Sequence, residues 1–174
     1  MHATRPRPSW DDYYMTIAMA VRRRACCAGN RVGALLVRDG RVIATGYNGT
    51  PAGMPNCEEG GCERCAHPEL YASGTGYDLC ICVHAEQNAL LMAAKFGIGV
   101  TGATLYTTMR PCFGCAKESL QAGVTKVVYL HEWTPKTPEA LAQYNRLIAH
   151  FKDGVHQIRL VDPDETWAVT TKRK

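Results

Sequence analysis

His84-Ala85-Glu86 and Pro111-Cys112-Phe113-Gly114-Cys115 contain between them one imidazole, two thiols and one carboxylate. An imidazole and two thiolates are a typical ligand set for a catalytic zinc ion, which keeps its fourth position for water and lowers the pKa of that water toward neutrality. The carboxylate need not bind the metal, so it remains available for proton transfer. The sequence therefore predicts a zinc site with one open position, whose ligands are His84, Cys112 and Cys115.

The residues around the two thiols predict the start of a helix. Cys112 and Cys115 are three residues apart, which places both thiols on one face of a helix. Pro111 suits the first turn of such a helix, where its missing N–H is harmless, and a helix N-terminus favours thiolates. A purely structural zinc knuckle is the alternative interpretation, but it would leave Glu86 without a role.

The composition is that of a soluble globular protein, since 46% of the 174 residues are hydrophobic and 21% are charged. This length predicts one domain with a substantial core. No apolar run approaches the roughly 18 residues that a membrane helix needs, and the N-terminus lacks the apolar core of a secretory signal. We therefore expect a reducing, cytoplasmic location, where nine cysteines indicate metal before disulfides. The net charge of +4 suits an anionic small molecule as well as a nucleic acid.

The N-terminal part of the chain predicts a helix followed by a β-hairpin. Ser9 can cap a helix that begins at Trp10, and Arg22-Arg23-Arg24 is interpreted as its solvated end, in preference to a nucleic-acid patch. Two β-rich runs, 32–37 and 41–47, are separated by a turn at Arg38-Asp39-Gly40. The residues expected to face the core from the helix are Trp10, Tyr13, Tyr14, Ile17, Ala18 and Val21.

Helix and strand patterns alternate in the C-terminal half, which favours a mixed α/β sheet with parallel strands. The expected helices cover 84–96, 112–122 and 139–152, and the expected strands cover 104–108, 126–130 and 155–161. We divide the chain into an N-terminal arm (1–8), one zinc-dependent domain (9–161) with a Cys-rich insertion near 50–83, and a C-terminal tail (162–174) with a basic end.

The chain resembles the cytidine deaminase superfamily and, within it, the deoxycytidylate (dCMP) deaminases. The spacing H-x-E followed by P-C-x-x-C is the signature of zinc-dependent nucleobase deaminases. Gly46-Tyr47-Asn48-Gly49 and the Cys-rich loop narrow the resemblance to the deoxycytidylate branch. The resemblance extends from about Ser9 to Leu160. Arg110, directly before the Pro-Cys pair, is a departure at a variable position of the family.

The resemblance implies a three-layer α/β/α cytidine deaminase-like fold with a five-stranded mixed sheet. It implies a zinc-dependent hydrolase that deaminates dCMP to dUMP and ammonia and so supplies dUMP for thymidylate synthesis. It also implies a homo-oligomer, often a hexamer, which in many members is activated by dCTP and inhibited by dTTP.

The predicted roles of the site residues combine chemistry with this resemblance. Glu86 is the candidate general acid and base, taking a proton from water and delivering protons to N3 and to the departing amine of the cytosine. By resemblance, the backbone N–H of Ala85 meets the pyrimidine O2 and Asn48 contacts the sugar, although Asn48 could be an ordinary turn residue. Arg110 and Lys117 are candidates for substrate contacts or, alternatively, plain surface charges.

Seven cysteines lie outside the predicted catalytic site. Phage members of the family carry a second, structural zinc ion, and by resemblance two of its ligands fall on Cys27 and Cys57. Cys62-Glu63-Arg64-Cys65 is a C-x-x-C knuckle suited to complete a four-cysteine site, with Cys80 or Cys82 as an alternate for one of the pair. The alternative is that several of these residues are small buried hydrophobes.

Other functions remain open from the sequence. The same chemistry could act on another cytosine or adenine substrate, namely a nucleoside, a natural product, or tRNA or another nucleic acid. A nucleic-acid deaminase needs a basic groove that follows the phosphates, and the sequence has no interleaved basic and aromatic surface. A zinc-stabilised binding module without catalysis is a different class of protein, but it would have no need of Glu86.

Overall fold

Five strands form one mixed sheet within residues 6–71 and 77–170, the part of the chain that the computed structural model describes. Their order is β2-β1-β3-β4-β5; β1 pairs antiparallel with β2 and β3, whereas β4 pairs parallel with β3 and β5. The predicted mixed sheet is therefore confirmed. The strands are β1 (Gly33–Arg38), β2 (Arg41–Tyr47), β3 (Thr104–Met109), β4 (Lys126–His131) and β5 (Val155–Gln157).

Helices cover both faces of this sheet, which confirms the three-layer α/β/α fold. The period of two along β1 sends Leu35 to one face, where α1 packs with Met15, and Leu36 to the other face, where α3 packs with Ala89. In the described residues the helices are α1 (Trp10–Arg22), α2 (Glu63–Ala66), α3 (Ala85–Lys95), α4 (Phe113–Gln121), α5 (Pro138–Ile148) and α6 (Glu165–Ala168).

Close backbone contact sets the distance between the sheet and the helix that begins at residue 85. A Cβ atom added to Gly46 on β2 would overlap the carbonyl oxygen of Ala85 and the backbone nitrogen of Ala89. Asn88 reinforces the contact, since its Nδ2 donates to the carbonyl oxygen of Tyr47 at 2.6 Å. The start of α3 is therefore held directly against the end of β2.

α1 confirms its predicted start but corrects the residues expected to face the core. The hydroxyl of Ser9 accepts a hydrogen bond from the backbone N–H of Asp12 at 3.1 Å, as a helix cap should. Trp10 and Tyr13 are 70% and 46% exposed. They pack instead on Tyr14, with Trp10 stacked on its ring at a centroid distance of 5.7 Å. The buried stripe of the helix is centred one residue further along, on Tyr14, Met15, Ala18 and Arg22.

The solvated end predicted for α1 is wrong at Arg22, whose side chain is completely buried. Its guanidinium donates to both carboxylate oxygens of Asp162, at 2.7 and 2.6 Å. His131 Nε2 lies 2.6 Å from the same carboxylate. A bidentate pair with a second polar partner satisfies the buried carboxylate and makes burial of the charge tolerable.

The chain beyond Val161, which the sequence divides off as a tail, packs onto the domain as far as residue 170. Ala168 and Val169 are buried in the main core, and the backbone N–H of Arg31 donates to the carbonyl oxygen of Ala168 at 2.8 Å. Residues 1–5 of the predicted arm and the basic end Lys172-Arg173-Lys174 lie outside the described residues. The helix predicted over 139–152 ends at Ile148, and the last strand ends at Gln157.

The Cys-rich insertion joins the domain through an isolated bridge between Gly49 and Val83. Its described part contains α2 and short single turns of helix, with no strand of the sheet between residues 48 and 71 or between 77 and 84. Across residues 6–71 and 77–170, none of the helices combines the length and the apolar character required to cross a membrane.

Candidate active site

His84, Cys112 and Cys115 meet at one point between two neighbouring helices. The Nδ1 atom of His84 lies 3.5 Å from the Sγ of Cys112 and 3.4 Å from the Sγ of Cys115. Tetrahedral zinc with bonds of about 2.1 Å to nitrogen and 2.3 Å to sulfur separates such atoms by about 3.6 Å. The three donor atoms therefore fit a zinc ion in identity and in spacing.

All three residues lie at the starts of helices. His84 is the N-cap of α3 and Cys112 is the N-cap of α4, while Cys115 lies in the first turn of α4. Pro111 precedes the cap instead of occupying the first helical turn, and its carbonyl oxygen accepts a hydrogen bond from the Tyr144 hydroxyl at 2.7 Å. Hydrogen bonding with Cys115 lowers the pKa of the Cys112 thiol well below its usual value, which favours the thiolate that zinc requires.

A side-chain bridge through Gln87 connects the two helices, and sequence reasoning missed its partner on α4. The backbone N–H of His84 donates to Oε1 of Gln87 at 3.0 Å, and Nε2 of Gln87 donates to Glu118 on α4 at 3.1 Å. The three-residue spacing from His84 to Gln87 is that of a capping box, and it was the available signal. No local pattern indicates Glu118 as the partner across the helices.

Glu86 lies one residue inside α3 with only 3% of its surface exposed. Burial raises the pKa of its carboxyl group to about 7, against the opposing effect of a charge on His84. The carboxyl group also contacts the Cys115 thiol. A buried carboxyl beside a zinc-type triad is suited to accept and return protons near neutral pH.

Asn48 and Ala85 both lie near the start of α3, in different settings. The Asn48 side chain is buried: its Oδ1 accepts from the backbone N–H of Val32 at 2.8 Å and its Nδ2 donates to the carbonyl oxygen of Asn30 at 2.7 Å. These bonds make Asn48 a link between the β-hairpin and the preceding loop. Ala85 is the first residue of α3, where backbone N–H groups point out of the helix.

Arg110 and Lys117 do not converge on one binding position. The Arg110 guanidinium pairs with Glu132 at 2.7 Å and lies over the ring of Tyr144 at 5.0 Å. Lys117 is exposed on α4, with its Nζ 5.6 Å from the centre of the Phe113 ring, and lines a groove on the outer surface. Sequence reasoning missed Glu132 and Tyr144, which come close to Arg110 only through the fold.

Cys27 and five cysteines of the insertion form groups that share no member with this site. The Sγ atoms of four of them lie within 4.8 Å of one another, and a second set of four shares two members with the first. Cys62 of the predicted quartet belongs to the second set, and Cys82, the predicted alternate, joins the first. The first set is Cys27, Cys57, Cys65 and Cys82, and the second is Cys62, Cys65, Cys80 and Cys82.

A three-layer α/β/α domain with a His-Cys-Cys triad and a buried glutamate at adjacent helix starts defines a zinc-binding class of protein. The chain matches the cytidine and deoxycytidylate deaminase zinc-binding region over residues 8–131. It belongs to this family.

Three proteins to which the chain is similar are deoxycytidylate (dCMP) deaminases. It is 47% identical over 129 residues to the deoxycytidylate deaminase of Schizosaccharomyces pombe, covering 74% of this chain and 39% of that protein. It is 42% identical over 129 residues to the deoxycytidylate deaminase of Mycobacterium phage D29, covering 72% of this chain and 98% of that protein. The crystal structure of dCMP deaminase from cyanophage S-TIM5 in complex with dCMP and dUMP superposes with a TM-score of 0.62 at 29% identity, covering 90% of this chain and 100% of that one.

The lengths of these relatives differ. The match spans less than half of the Schizosaccharomyces pombe protein and also of the Saccharomyces cerevisiae deoxycytidylate deaminase, at 39% and 38% of their lengths. It spans nearly all of the phage D29 protein. The shared region is therefore the zinc-binding domain common to short and long members.

Proposed function

We propose that this protein is a zinc-dependent hydrolase that deaminates dCMP to dUMP and ammonia. The observation that carries the proposal is the buried carboxyl of Glu86 beside the His84, Cys112 and Cys115 donor atoms. The deoxycytidylate deaminases among its relatives support dCMP as the substrate, and the cyanophage enzyme was crystallised with dCMP and dUMP. The product, dUMP, is the precursor expected for thymidylate synthesis.

The proposed mechanism assigns one task to each group. His84, Cys112 and Cys115 would hold the zinc ion, which when bound supplies a Lewis acid that activates water. Glu86 accepts a proton from the attacking water as the water oxygen bonds to C4, and returns this proton to N3 of the cytosine ring. It then takes the proton of the new hydroxyl group on C4 and delivers it to the amine, which leaves as ammonia as the C4 carbonyl forms. The N–H of Ala85 is proposed to donate to the pyrimidine O2. Asn48 is proposed to hold the neighbouring backbone through its two hydrogen bonds. Its Oδ1 atom can accept a second hydrogen bond, which we propose comes from the sugar of the substrate.

Loss of cytosine absorbance is the direct test of this proposal. The zinc-loaded protein is mixed with dCMP, and with deoxycytidine, CMP and dCTP in parallel. Turnover confined to dCMP supports the proposal. Turnover of none of the four, together with a salt-dependent gel shift on RNA or single-stranded DNA, would contradict it and favour a nucleic-acid deaminase.

Substitution of Glu86 tests the catalytic assignment. A general acid and base typically contributes about 10²–10⁴-fold, so Glu86→Gln should lower kcat by a factor in that range while zinc content and dCMP binding persist. Glu139→Gln makes the same chemical change at an exposed position of α5 and should leave kcat unchanged. A near-normal kcat for Glu86→Gln would show that the proton passes through another group.

Assembly and regulation complete the proposal. We propose that copies of the chain associate into a homo-oligomer, for which an apolar groove on the outer face of α3 and α4 is the supporting observation. Its volume is about 980 Å³, and its apolar lining includes Leu90, Leu91, Ala94, Ile98, Leu120 and Leu147. That the oligomer is a hexamer stays a prediction, which its mass in solution would test.

Activation by dCTP and inhibition by dTTP also stay predictions. Initial rates at low dCMP concentration, measured with each effector, would test them. We also propose a reducing, cytoplasmic location, because none of the nine cysteines forms a disulfide.

A further inference from the structure

Six cysteines of the insertion and its flanks form two overlapping tetrads. Cys27 and Cys57 complete one tetrad, and Cys62 and Cys80 complete the other. Cys65 and Cys82 belong to both tetrads. A single four-cysteine zinc site would use one tetrad and leave two thiols of the other without a metal.

The shared pair has the spacing of an edge common to two tetrahedra. Zinc with four bonds of about 2.3 Å to sulfur separates its ligands by about 3.8 Å. The Sγ atoms of Cys65 and Cys82 are 3.8 Å apart, as are those of Cys27 and Cys65. The Cys82 thiol contacts Cys57 at 3.0 Å and also contacts Cys80, so it faces unshared members of both tetrads.

The packing around these thiols does not explain their burial. The side chains of this cluster are almost entirely cysteines, and its other member is Ala28. Large apolar side chains of the insertion point outward instead, since Met54, Leu70, Leu79 and Ile81 are exposed. Such an insertion has little hydrophobic burial to hold it, so another interaction must offset the conformational entropy of ordering it.

Disulfides do not supply that interaction. None of the nine cysteines forms a disulfide, and the Sγ atoms of Cys57 and Cys82, 3.0 Å apart, are well beyond the bond length of about 2.05 Å. Thiolate–metal bonds are the remaining way to connect side chains of this kind. Metal binding is also a known source of folding free energy for small segments without a core.

We infer that the insertion binds two zinc ions in one six-cysteine cluster, in which Cys65 and Cys82 bridge the metals. Cys27 and Cys57 complete the shell of one ion, and Cys62 and Cys80 complete the shell of the other. Each ion then has four sulfur ligands, and all six thiols are used. This cluster extends the single structural zinc predicted from the sequence, and it is separate from the proposed catalytic site.

The metal content of the 174-residue chain is the first test. Native mass spectrometry of the zinc-loaded wild-type chain should give about three zinc ions, two in the cluster and one at the candidate active site. Replacement of zinc by ¹¹³Cd should give two coupled resonances, because bridging thiolates connect the two metal nuclei. About two zinc ions per chain, or cadmium resonances without coupling, would overturn the inference. Visible absorbance of an iron–sulfur cluster would overturn it as well.

A matched pair of variants tests the sharing of ligands. Cys27→Ser and Cys62→Ser each remove an unshared ligand of a different ion, so each should lower the zinc content by about one ion. A single site formed by the first tetrad would instead lose zinc in Cys27→Ser and keep it in Cys62→Ser, which would contradict the cluster. Cys26→Ser is the control, because Cys26 lies beside the cluster but in neither tetrad, and its zinc content should equal that of the wild type.

The test is independent of the proposed deaminase activity. The readouts are metal content and cadmium spectra, which need no substrate. His84→Ala removes the zinc of the candidate active site and should leave the coupled cadmium resonances intact. If a cysteine variant does not fold, the wild-type measurements alone still decide between one and two ions in the cluster. Failure of dCMP turnover would leave the cluster result unaffected.

Discussion

Arg22 shows how much one residue can depend on the rest of the chain. The run of three arginines predicted a solvated helix end. Arg22 is nevertheless buried, whereas Arg23 and Arg24 are exposed. Its partner Asp162 lies 140 residues away and has 2% of its side chain exposed. The bidentate pair fastens the end of α1 to the segment after β5.

Replacing Arg22 should therefore be costly. Arg22→Met leaves a buried carboxylate without its main partner, and we expect the free energy of unfolding to fall by about 3–5 kcal/mol. Urea unfolding of the zinc-loaded protein measures this change. Arg23→Met is the matched control, since Arg23 is 66% exposed and its pair with Asp164 should contribute below about 1 kcal/mol. Equal losses in both variants would contradict a special role for the buried pair.

Asp162 makes the same network sensitive to acid. Burial raises the pKa of its carboxyl group, but hydrogen bonds from Arg22 and His131 outweigh burial and lower this pKa to about 2. An unfolded aspartate has a pKa near 3.9, so the ionised group contributes about 2–3 kcal/mol of stability above that pH. This contribution is lost as the pH falls through about 4 toward 2.

Comparison with Asp162→Asn isolates this pH dependence. The wild-type protein should be more stable than the variant at pH 5, and the difference in free energy of unfolding should shrink as the pH falls from 5 to 2. Urea titrations at several pH values measure it. A difference that stays constant over this range would show that Asp162 does not titrate in the folded protein as described.

At the scale of elements, the position of α3 controls the candidate active site. Its first residues follow the cap His84 and include Glu86, and its backbone touches β2 at Gly46. The sequence predicted the helix over 84–96, but the closeness of the contact depends on a residue in a different element. The glycine allows two backbones to approach without an intervening side chain.

Adding one methyl group at Gly46 should push these elements apart. Gly46→Ala would place its Cβ against the backbone of Ala85 and Ala89, and we expect a loss of at least about 1–3 kcal/mol in the free energy of unfolding. Zinc affinity at the His84 site should fall as α3 shifts, which competition with a chromophoric chelator measures. Gly99→Ala is the control, because its Cβ would meet only the flexible tip of Arg38. Unchanged stability and affinity in Gly46→Ala would show that α3 has room to move.

At the scale of the whole molecule, the apolar groove on α3 and α4 favours association of copies. Leu91 lines this groove and is 58% exposed, which is unfavourable for a large apolar side chain in water. The same helices begin at the candidate metal ligands His84 and Cys112. Association at this face would therefore involve the helices that position the candidate active site.

Leu91→Lys should weaken the proposed oligomer. A lysine in an apolar interface leaves a charge without water or a partner, so the mass in solution should shift toward that of the single chain. Light scattering coupled to gel filtration measures the mass. Val161→Lys is the control, since Val161 is exposed at 86% and lies outside the groove. A wild-type mass equal to the single chain, or an oligomer unaffected by Leu91→Lys, would contradict this face as the interface.

The sequence by itself determined the features that depend on near neighbours along the chain. β-rich runs bounded by turn residues predicted the strands, and helical spacing and caps predicted helices, because these signals lie within a few residues along the chain. Ser9 was predicted as a cap because capping is a contact over three residues. The chemistry and spacing of His84, Cys112 and Cys115 predicted them as metal ligands, and their donor atoms lie within 4.8 Å of one another.

Only the tertiary structure decided the contacts between distant segments. The burial of Arg22 depends on Asp162, and the division of six cysteines into two tetrads depends on how the insertion folds back on Cys27. The side-chain amide of Asn48 forms hydrogen bonds with the backbone of Val32 and Asn30, and no local pattern predicts these partners. Such contacts form between residues tens of positions apart, where a short-range pattern contains no information about the partner. Their energies depend on burial, which exists only once the layers have packed.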